Sequence, residues 1–362
     1  MTISLLGHPV GSKTGLGHAA EILYAALEKS HAVVLPKAKD ALSCLSHSDI
    51  VITIGDLWSF EKIADYKESH KIIWIAYTGC EGIKYPNYCR IAANEIIDMR
   101  GIGVIPDLVV SFSESGREVF SGIFGAEKTD CINLYSEIEP LVDGEIPDII
   151  KRAFGAFDKK CLFIGDNLLR KGIPELLTLA EAHRDTLFYL HTPYMTQFGV
   201  DIIEARQQMR LKNVILKSDI EAKLGSIVNS NDFIRALYSY FDIYIHPHNA
   251  EGFGLTVLEA LTVAKKQREL LKKSINVYAT KTGGVKDFLP ANAAVSTDQK
   301  TYIQCGGVGY WVEKPLLSEF SKGIMDNNQR IKSFDLPTKE KFESQWNEIV
   351  NREYKKYNWK IA

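Results

Sequence analysis

Short β-branched runs alternate with amphipathic helical stretches along most of the chain, the pattern of parallel strands joined by crossover helices. In the first half this predicts strands near Ile3–Leu6, Ala32–Leu35, Ile50–Ile54, Lys71–Tyr77, Leu108–Phe112 and Cys131–Leu134. Between the first two, Ala19, Ile22, Leu23, Ala26 and Leu27 recur at i, i+3, i+4, i+7 and i+8, which puts one apolar stripe of a helix against a sheet. The pattern pauses in Ser136–Asp148, which is rich in acids, Pro and Gly and has no apolar period, and reads as an interdomain linker. A second set follows, with strands near Lys160–Ile164, Thr186–His191, Asn213–Lys217, Asp242–His246 and Ile275–Ala279, each separated from the next by a helical segment such as Ile173–Ala182. The pattern predicts an α/β protein of two Rossmann-like, doubly wound parallel-sheet halves, with a ligand at the carboxyl ends of the strands, in a cleft between them. The tail Thr338–Tyr357 is a polar helix with Phe342, Trp346, Ile349, Val350 and Tyr357 on one side, anchors large enough to require a docking surface.

The length of 362 residues fits two domains at roughly 100–200 residues each, or one large barrel. With 46% hydrophobic, 24% charged and 10% aromatic residues the balance is globular, which argues against disorder, collagen and coiled coil. The net charge of -2, from 43 Lys+Arg against 45 Asp+Glu, is not that of a dedicated nucleic-acid binder, so any anion site is expected to be local. Met1–Gly7 lacks the basic start and long apolar core of a signal peptide, and no apolar run approaches the ~20 residues that cross a bilayer. Cys44, Cys80, Cys89, Cys131, Cys161 and Cys305 are scattered, without a Cys-x-x-Cys pair or a neighbouring His cluster, and read as buried thiols in a reducing compartment. A soluble cytoplasmic protein without a structural metal is the expectation.

The chemistry concentrates in Asp242–Ala260, where a strand ends at His246-Pro247, a glycine-bearing loop follows and a helix begins near Gly254. The N–H groups of Gly252, Phe253 and Gly254 are then donors at a helix N-terminus, suited to an anion or to sugar hydroxyls. Glu251 precedes the helix and Glu259 lies within it, about 7.5 Å along the axis from Gly254, so the two carboxylates can hold opposite ends of an elongated ligand.

Glu251-Gly252-Phe253-Gly254-Leu255-Thr256-Val257-Leu258-Glu259 resembles the signature of retaining glycosyltransferases of the GT-B fold, the group that contains glycogen synthases: two glutamates separated by seven residues, with a Gly-Phe-Gly core between them. The resemblance implies that Glu251 bonds the donor sugar, that the backbone of Gly252–Leu255 holds sugar and diphosphate, and that Glu259 takes the ribose hydroxyls. Cys161–Gly172 is similar to the strand, Gly-Arg pair and Lys-Gly pair that open the second domain of the family, with Lys171 falling on the lysine that neutralises the departing diphosphate. Asp166 stands where that family has arginine; either Arg170 supplies the second positive charge or Asp166 points elsewhere. Lys171, Glu251 and Arg170 are therefore the candidate catalytic groups, and Gly15, Gly17, Gly252, Phe253, Gly254, Leu255, Glu259 and His248 the candidate donor-binding ones. By resemblance, 1–140 is an N-terminal acceptor-side domain, 141–337 binds the nucleotide sugar, and 338–362 is a helix returning to the first domain.

Other segments are less specific. Gly11–His18 resembles the family's glycine-rich loop, with a tight turn as the plain alternative; it satisfies neither the Walker nor the dinucleotide spacing. Ser113 is placed to cap the helix that follows it. Thr282–Asp287 resembles the family's Gly-Gly turn, whose glycines serve backbone geometry. The histidine common after the fourth strand of the family's first domain is absent; Glu81 is a candidate acid or base, or an exposed loop glutamate, and His18 is the nearest histidine. In Lys265–Lys273 the basic side chains and Glu269 fall within about 160° of one another with Val263, Leu270 and Leu271 opposite, either a solvated face or a site for anionic lipid or an acidic acceptor.

The resemblance implies transfer of a sugar from a UDP- or GDP-sugar to a glycan, lipid or protein acceptor. With no Asp-x-Asp pair in the sequence, no metal clamp is expected. The alternatives on the same fold are a sugar-nucleotide epimerase or hydrolase, and a degenerate protein that binds nucleotide sugar or glycan without turnover.

Overall fold

The computed structural model describes every residue except 8–9, 11–13, 37–44, 82–88, 93–94, 99–104, 272–273, 306–307, 327–333 and 362. The chain forms two compact units, one of residues 1–135 with 307–310 and 337–362, the other of 136–306 with 311–336.

The first unit runs β1 (Thr2–Gly7), α1 (Gly15–Leu27), β2 (Ala32–Val34), β3 (Ile50–Ile54), α2 (Glu61–His70), β4 (Ile73–Thr78), β5 (Cys89–Ala92), β6 (Glu95–Asp98), β7 (Leu108–Ser111), α3 (Glu114–Phe124) and β8 (Thr129–Cys131). Its main sheet has the order β2-β1-β3-β4-β7-β8 and is parallel throughout, while β5 and β6 form a small antiparallel pair. Every residue of β3 and β4 is buried, as expected of strands covered on both faces. Thr14 opens α1 by accepting the Gly17 N–H at 3.0 Å, and Ala19, Ile22, Leu23, Ala26 and Leu27 are all buried. Ser113 caps α3 in the same way through the Gly116 N–H at 3.2 Å. Strand β4 starts two residues later than the pattern suggested, because Lys71 takes a left-handed conformation (φ 54) at the end of α2.

The second unit runs α4 (Asp148–Phe154), β9 (Lys160–Ile164), α5 (Ile173–Ala182), β10 (Leu187–His191), α6 (Ile202–Gln208), β11 (Val214–Leu216), α7 (Lys217–Leu224), α8 (Asn231–Tyr240), β12 (Ile243–His246), α9 (Leu255–Leu271), β13 (Asn276–Thr280), β14 (Ala294–Val295), β15 (Thr297–Cys305), the part of β16 (Val308–Pro315) from Trp311 on, and α10 (Leu317–Asp326). Its six-stranded sheet, order β11-β10-β9-β12-β13-β14, is also parallel. Phe163, Leu177, Phe188, Leu190, Ile243, Ile245 and Phe320 lie in its main core cluster. The chain steps outward from β9 to β11, then returns to the other side of β9 as β12, so the direction of winding reverses between β9 and β12. In open α/β sheets that reversal leaves a crevice at the carboxyl ends of the two strands.

The last helix, α11 (Lys339–Ile361), belongs to the first unit. Phe342, Trp346, Ile349 and Val350 are buried, the Trp346 ring meets Tyr77 of β4 edge-on at 4.9 Å, and Arg352 pairs with Asp130 of β8 at 3.2 Å. Tyr357 is half-buried and donates its hydroxyl to the Lys71 carbonyl. Replacing Trp346 by Ala is expected to lower unfolding free energy by about 3–5 kcal/mol in urea titrations, the usual cost of emptying so large a buried site; a loss below about 1 kcal/mol would show that the helix does not hold the unit together.

Candidate functional site

The loops that leave β9 and β12 meet at the reversal of the second sheet. After β9 the chain makes a single helical turn, Leu169–Lys171, and ends it on Gly172 in the left-handed region (φ 77). A Cβ on Gly172 would stand 2.0 Å from the Pro247 carbonyl oxygen, so only glycine lets the two loops touch. The contact is fixed by the Asn249 N–H, which donates to the Arg170 carbonyl at 2.8 Å. Gly283 and Gly284 support the other side. Cβ atoms on them would lie 2.2 Å from the carbonyl oxygens of Glu251 and Gly252, and the Gly284 N–H donates to the Glu251 carbonyl at 2.9 Å.

This backbone packing sets the charged groups. Lys171 Nζ donates to Glu251 Oε2 in a very short contact, and Arg170 Nη1 lies 3.9 Å from the same oxygen. Burial alone would push the Glu251 carboxyl up, but Lys171, then Arg170, outweigh it and hold the group down at about 2. Arg170 is itself buried and donates from Nη1 to the Ala250 carbonyl at 3.5 Å. Arg170 is thus the second cation beside Glu251, and Asp166 takes an exposed position.

Gly252, Phe253 and Gly254 form the loop into α9, and Leu255 opens the helix half-buried. The Phe253 side chain turns inward, 5.0 Å from the Phe288 ring, so only its backbone can face a ligand. The leading N–H groups of α9 have no acceptor within the helix. Glu259, one turn further, is half-buried and accepts from the Tyr238 hydroxyl at 2.9 Å; Tyr238 also lies 3.0 Å from the Thr256 carbonyl. Burial pushes the Glu259 carboxyl up to about 7, with the Tyr238 bond acting the other way. The two glutamates of the motif thus sit at opposite ends of the carboxylate range. His248 is fully buried and faces His246 and the Thr282 carbonyl.

Arg170, Lys171, His248 and Glu251–Glu259 are thus gathered in the second unit. Gly15 and Gly17 lie in the first turn of α1, in the first unit, where His18 and Glu81 are half-buried; Gly11, Ser12 and Lys13 fall outside the described residues. Tyr238 and His246 join the cluster without having been singled out from the sequence. For His246 the signal was present: two residues before His248, it shares the direction of its side chain where extended backbone persists.

The segment Lys265–Lys273 departs from the expectation. Val263 is buried, but Leu270 (67%) and Leu271 (36%) are exposed, because the last turn of α9 runs beyond the core. The buried position on that side is taken by Gln267, which donates to the Ser239 carbonyl and accepts the Ile275 N–H at 2.9 Å. Lys266 is bound to Glu139 and to the Ile138 carbonyl, and Arg268 donates to Ser274, so neither cation stands on an unengaged outer face; Lys272 and Lys273 fall outside the described residues.

Residues 149–266 match the family model described as glycosyl transferases group 1. No curated protein matches the chain. Among solved structures, HepE of Anabaena in complex with UDP and glucose is similar over 97% of this chain and 100% of its own, with 14% identity and a TM-score of 0.64. The sucrose-phosphate synthase of Thermosynechococcus elongatus matches over 100% and 99% (14% identity, TM-score 0.64), and a glycosyltransferase of Rickettsia africae over 98% and 98% (14% identity, TM-score 0.58). The architecture is that of the GT-B fold. The likeness to the group 1 glycosyl transferases lies in residues 149–266, within the second unit. Among the described residues no three His, Cys, Asp or Glu side chains are grouped to hold a metal ion, and no helix is long and apolar enough to cross a membrane.

The raised carboxyl of Glu259 has a consequence for stability. Its folded value of about 7 exceeds the reference of 4.5, so the folded state binds more protons between those values and loses stability as pH rises through them. Glu259→Gln is expected to remove this slope and to unfold at higher urea than wild type at pH 8 but not at pH 4; parallel curves for the two proteins would contradict the assignment.

Proposed function

We propose that the protein is a retaining glycosyltransferase that moves a sugar from a nucleotide-diphosphate donor, a UDP- or GDP-sugar, to an acceptor hydroxyl without a metal ion. The observation that carries this reading is Glu251 held ionised by Lys171 and Arg170 at the winding reversal of the second sheet. A carboxylate there accepts hydrogen bonds from sugar hydroxyls, and the two cations meet the diphosphate. The presence of UDP and glucose in the HepE structure supports a donor of this chemistry.

The steps follow from where charge develops. As the bond from the anomeric carbon to the phosphate lengthens, positive charge grows on the sugar ring and negative charge on the leaving oxygen. Arg170 and the leading N–H groups of α9 at this crevice, joined by Lys171 once it is released from Glu251, stabilise that anion. The anionic Glu251 both positions the sugar and favours the developing ring charge. Glu259, at the far end of the motif, takes the ribose hydroxyls. Because Glu251 occupies Lys171 in the free protein, the diphosphate has to draw the lysine away, and the sugar hydroxyls then replace it on the carboxylate.

Two measurements test the proposal. In thermal-shift assays with uridine, guanosine and adenosine diphosphates and their sugar conjugates, at least one is expected to raise the melting temperature; a flat response to all would overturn the reading. With the active conjugate and an acceptor, Glu251→Gln and Lys171→Met are each expected to cut transfer at least tenfold at a temperature where circular dichroism shows both variants folded, and wild-type rates would sink the assignment.

A further inference from the structure

A buried group at the same crevice is unused by the reaction just described: the imidazole of His246, the last residue of β12. The ring is fully buried and nearly parallel to those of Phe163 and Tyr244, with interplanar angles of 14° and 17° and centroids 5.2 and 6.1 Å away. Its Nδ1 lies 3.1 Å from His248 Nδ1, and that His248 atom is also 3.0 Å from the His246 carbonyl oxygen. His248 Nε2 lies 3.4 Å from the Thr282 carbonyl. Burial keeps both rings neutral, holding His248 at about 4 and His246 well below its ordinary value.

These distances select the tautomers. Were the hydrogen on His246 Nδ1, His248 Nδ1 would accept it and turn a lone pair towards a carbonyl oxygen at 3.0 Å. With the hydrogen on His248 Nδ1 instead, that N–H is shared between the His246 carbonyl and His246 Nδ1, and the repulsive contact becomes the one at 3.4 Å to Thr282. The second arrangement gives up the 3.4 Å bond from His248 Nε2–H to Thr282 but turns the 3.0 Å contact from a repulsion into a bond, and the closer contact weighs more, so it is the lower in energy. A neutral His246 then carries its hydrogen on Nε2.

That Nε2–H has no partner among the described residues, although buried polar groups are nearly always bonded. It lies beside Gly165, the half-buried first residue after β9, where a Cβ would stand 3.8 Å from Nε2. The ring sits at the carboxyl end of β12, and Lys171, Arg170 and Glu251 are the charged groups acting on it. We infer that His246 Nε2–H is a binding group for a phosphate oxygen of the donor, reached across the bare backbone of Gly165. The inference rests on the donor reading above. A phosphate oxygen fits better than a sugar hydroxyl, because it offers only acceptor sites and lies where the two cations converge.

His246→Phe tests this, since it keeps a flat ring beside Phe163 and Tyr244 and removes the N–H. Its melting temperature is expected to equal or exceed that of the wild type, because an unpaired buried donor is replaced by an apolar group of similar shape. Its affinity for UDP and GDP in calorimetry is expected to fall about ten- to hundredfold for whichever the wild type binds, while the affinity for the corresponding nucleoside is unchanged. Diphosphate affinity equal to wild type, with or without a lower melting temperature, would overturn the inference and leave the donor reading standing. A wild type that binds neither diphosphate would overturn both. Independently of the variant, ¹⁵N spectra of the ligand-free protein are expected to show His246 protonated at Nε2; protonation at Nδ1 would overturn the inference.

Discussion

Backbone pressed on backbone at the carboxyl edge of the second sheet is the constraint from which the site follows. Gly172 lies against the Pro247 carbonyl, and Gly283 and Gly284 lie against Glu251 and Gly252, in each case closer than any side chain allows. Without these approaches the turn carrying Arg170 and Lys171 could not reach the loop carrying Glu251. The ion pair would then open to solvent, where such pairs contribute little. Held together and largely dry, it keeps a carboxylate ionised and two cations oriented before any ligand arrives.

The same packing lets one short motif run two carboxylates in opposite directions. Glu251 is held down by Lys171 and Arg170, while Glu259, eight residues on, is bonded by the Tyr238 hydroxyl and is pushed up by burial. Environments that drive like groups apart are how a site divides roles among chemically identical side chains. A chain of net charge -2 needs no broad basic surface for the proposed donor, because two cations and a helix end gathered at one crevice would meet its diphosphate locally.

Much of the architecture could be read from the pattern of residues. Parallel strands buried on both faces produce β-branched runs such as Ile50–Ile54, and the anchors Phe342, Trp346, Ile349 and Val350 marked a helix that had to dock. The resemblance points to Glu251, Glu259, Lys171 and Arg170, and the structure brings Lys171 and Arg170 to Glu251. What escaped the sequence was tertiary. Tyr238 reaches Glu259 from another helix, His246 is distinguished only by what its ring lacks, and the two-residue β14 is too short to have a period. Leu270 and Leu271 have apolar character and the right angular position, but the helix outruns the core that would have buried them.

The most direct measurement is a structure of the protein with bound UDP or GDP. The diphosphate is expected within hydrogen-bond distance of Lys171 Nζ at the crevice between β9 and β12, with the contact between Lys171 and Glu251 opened. A nucleotide seated elsewhere, with that ion pair still closed, would contradict the assignment of the site.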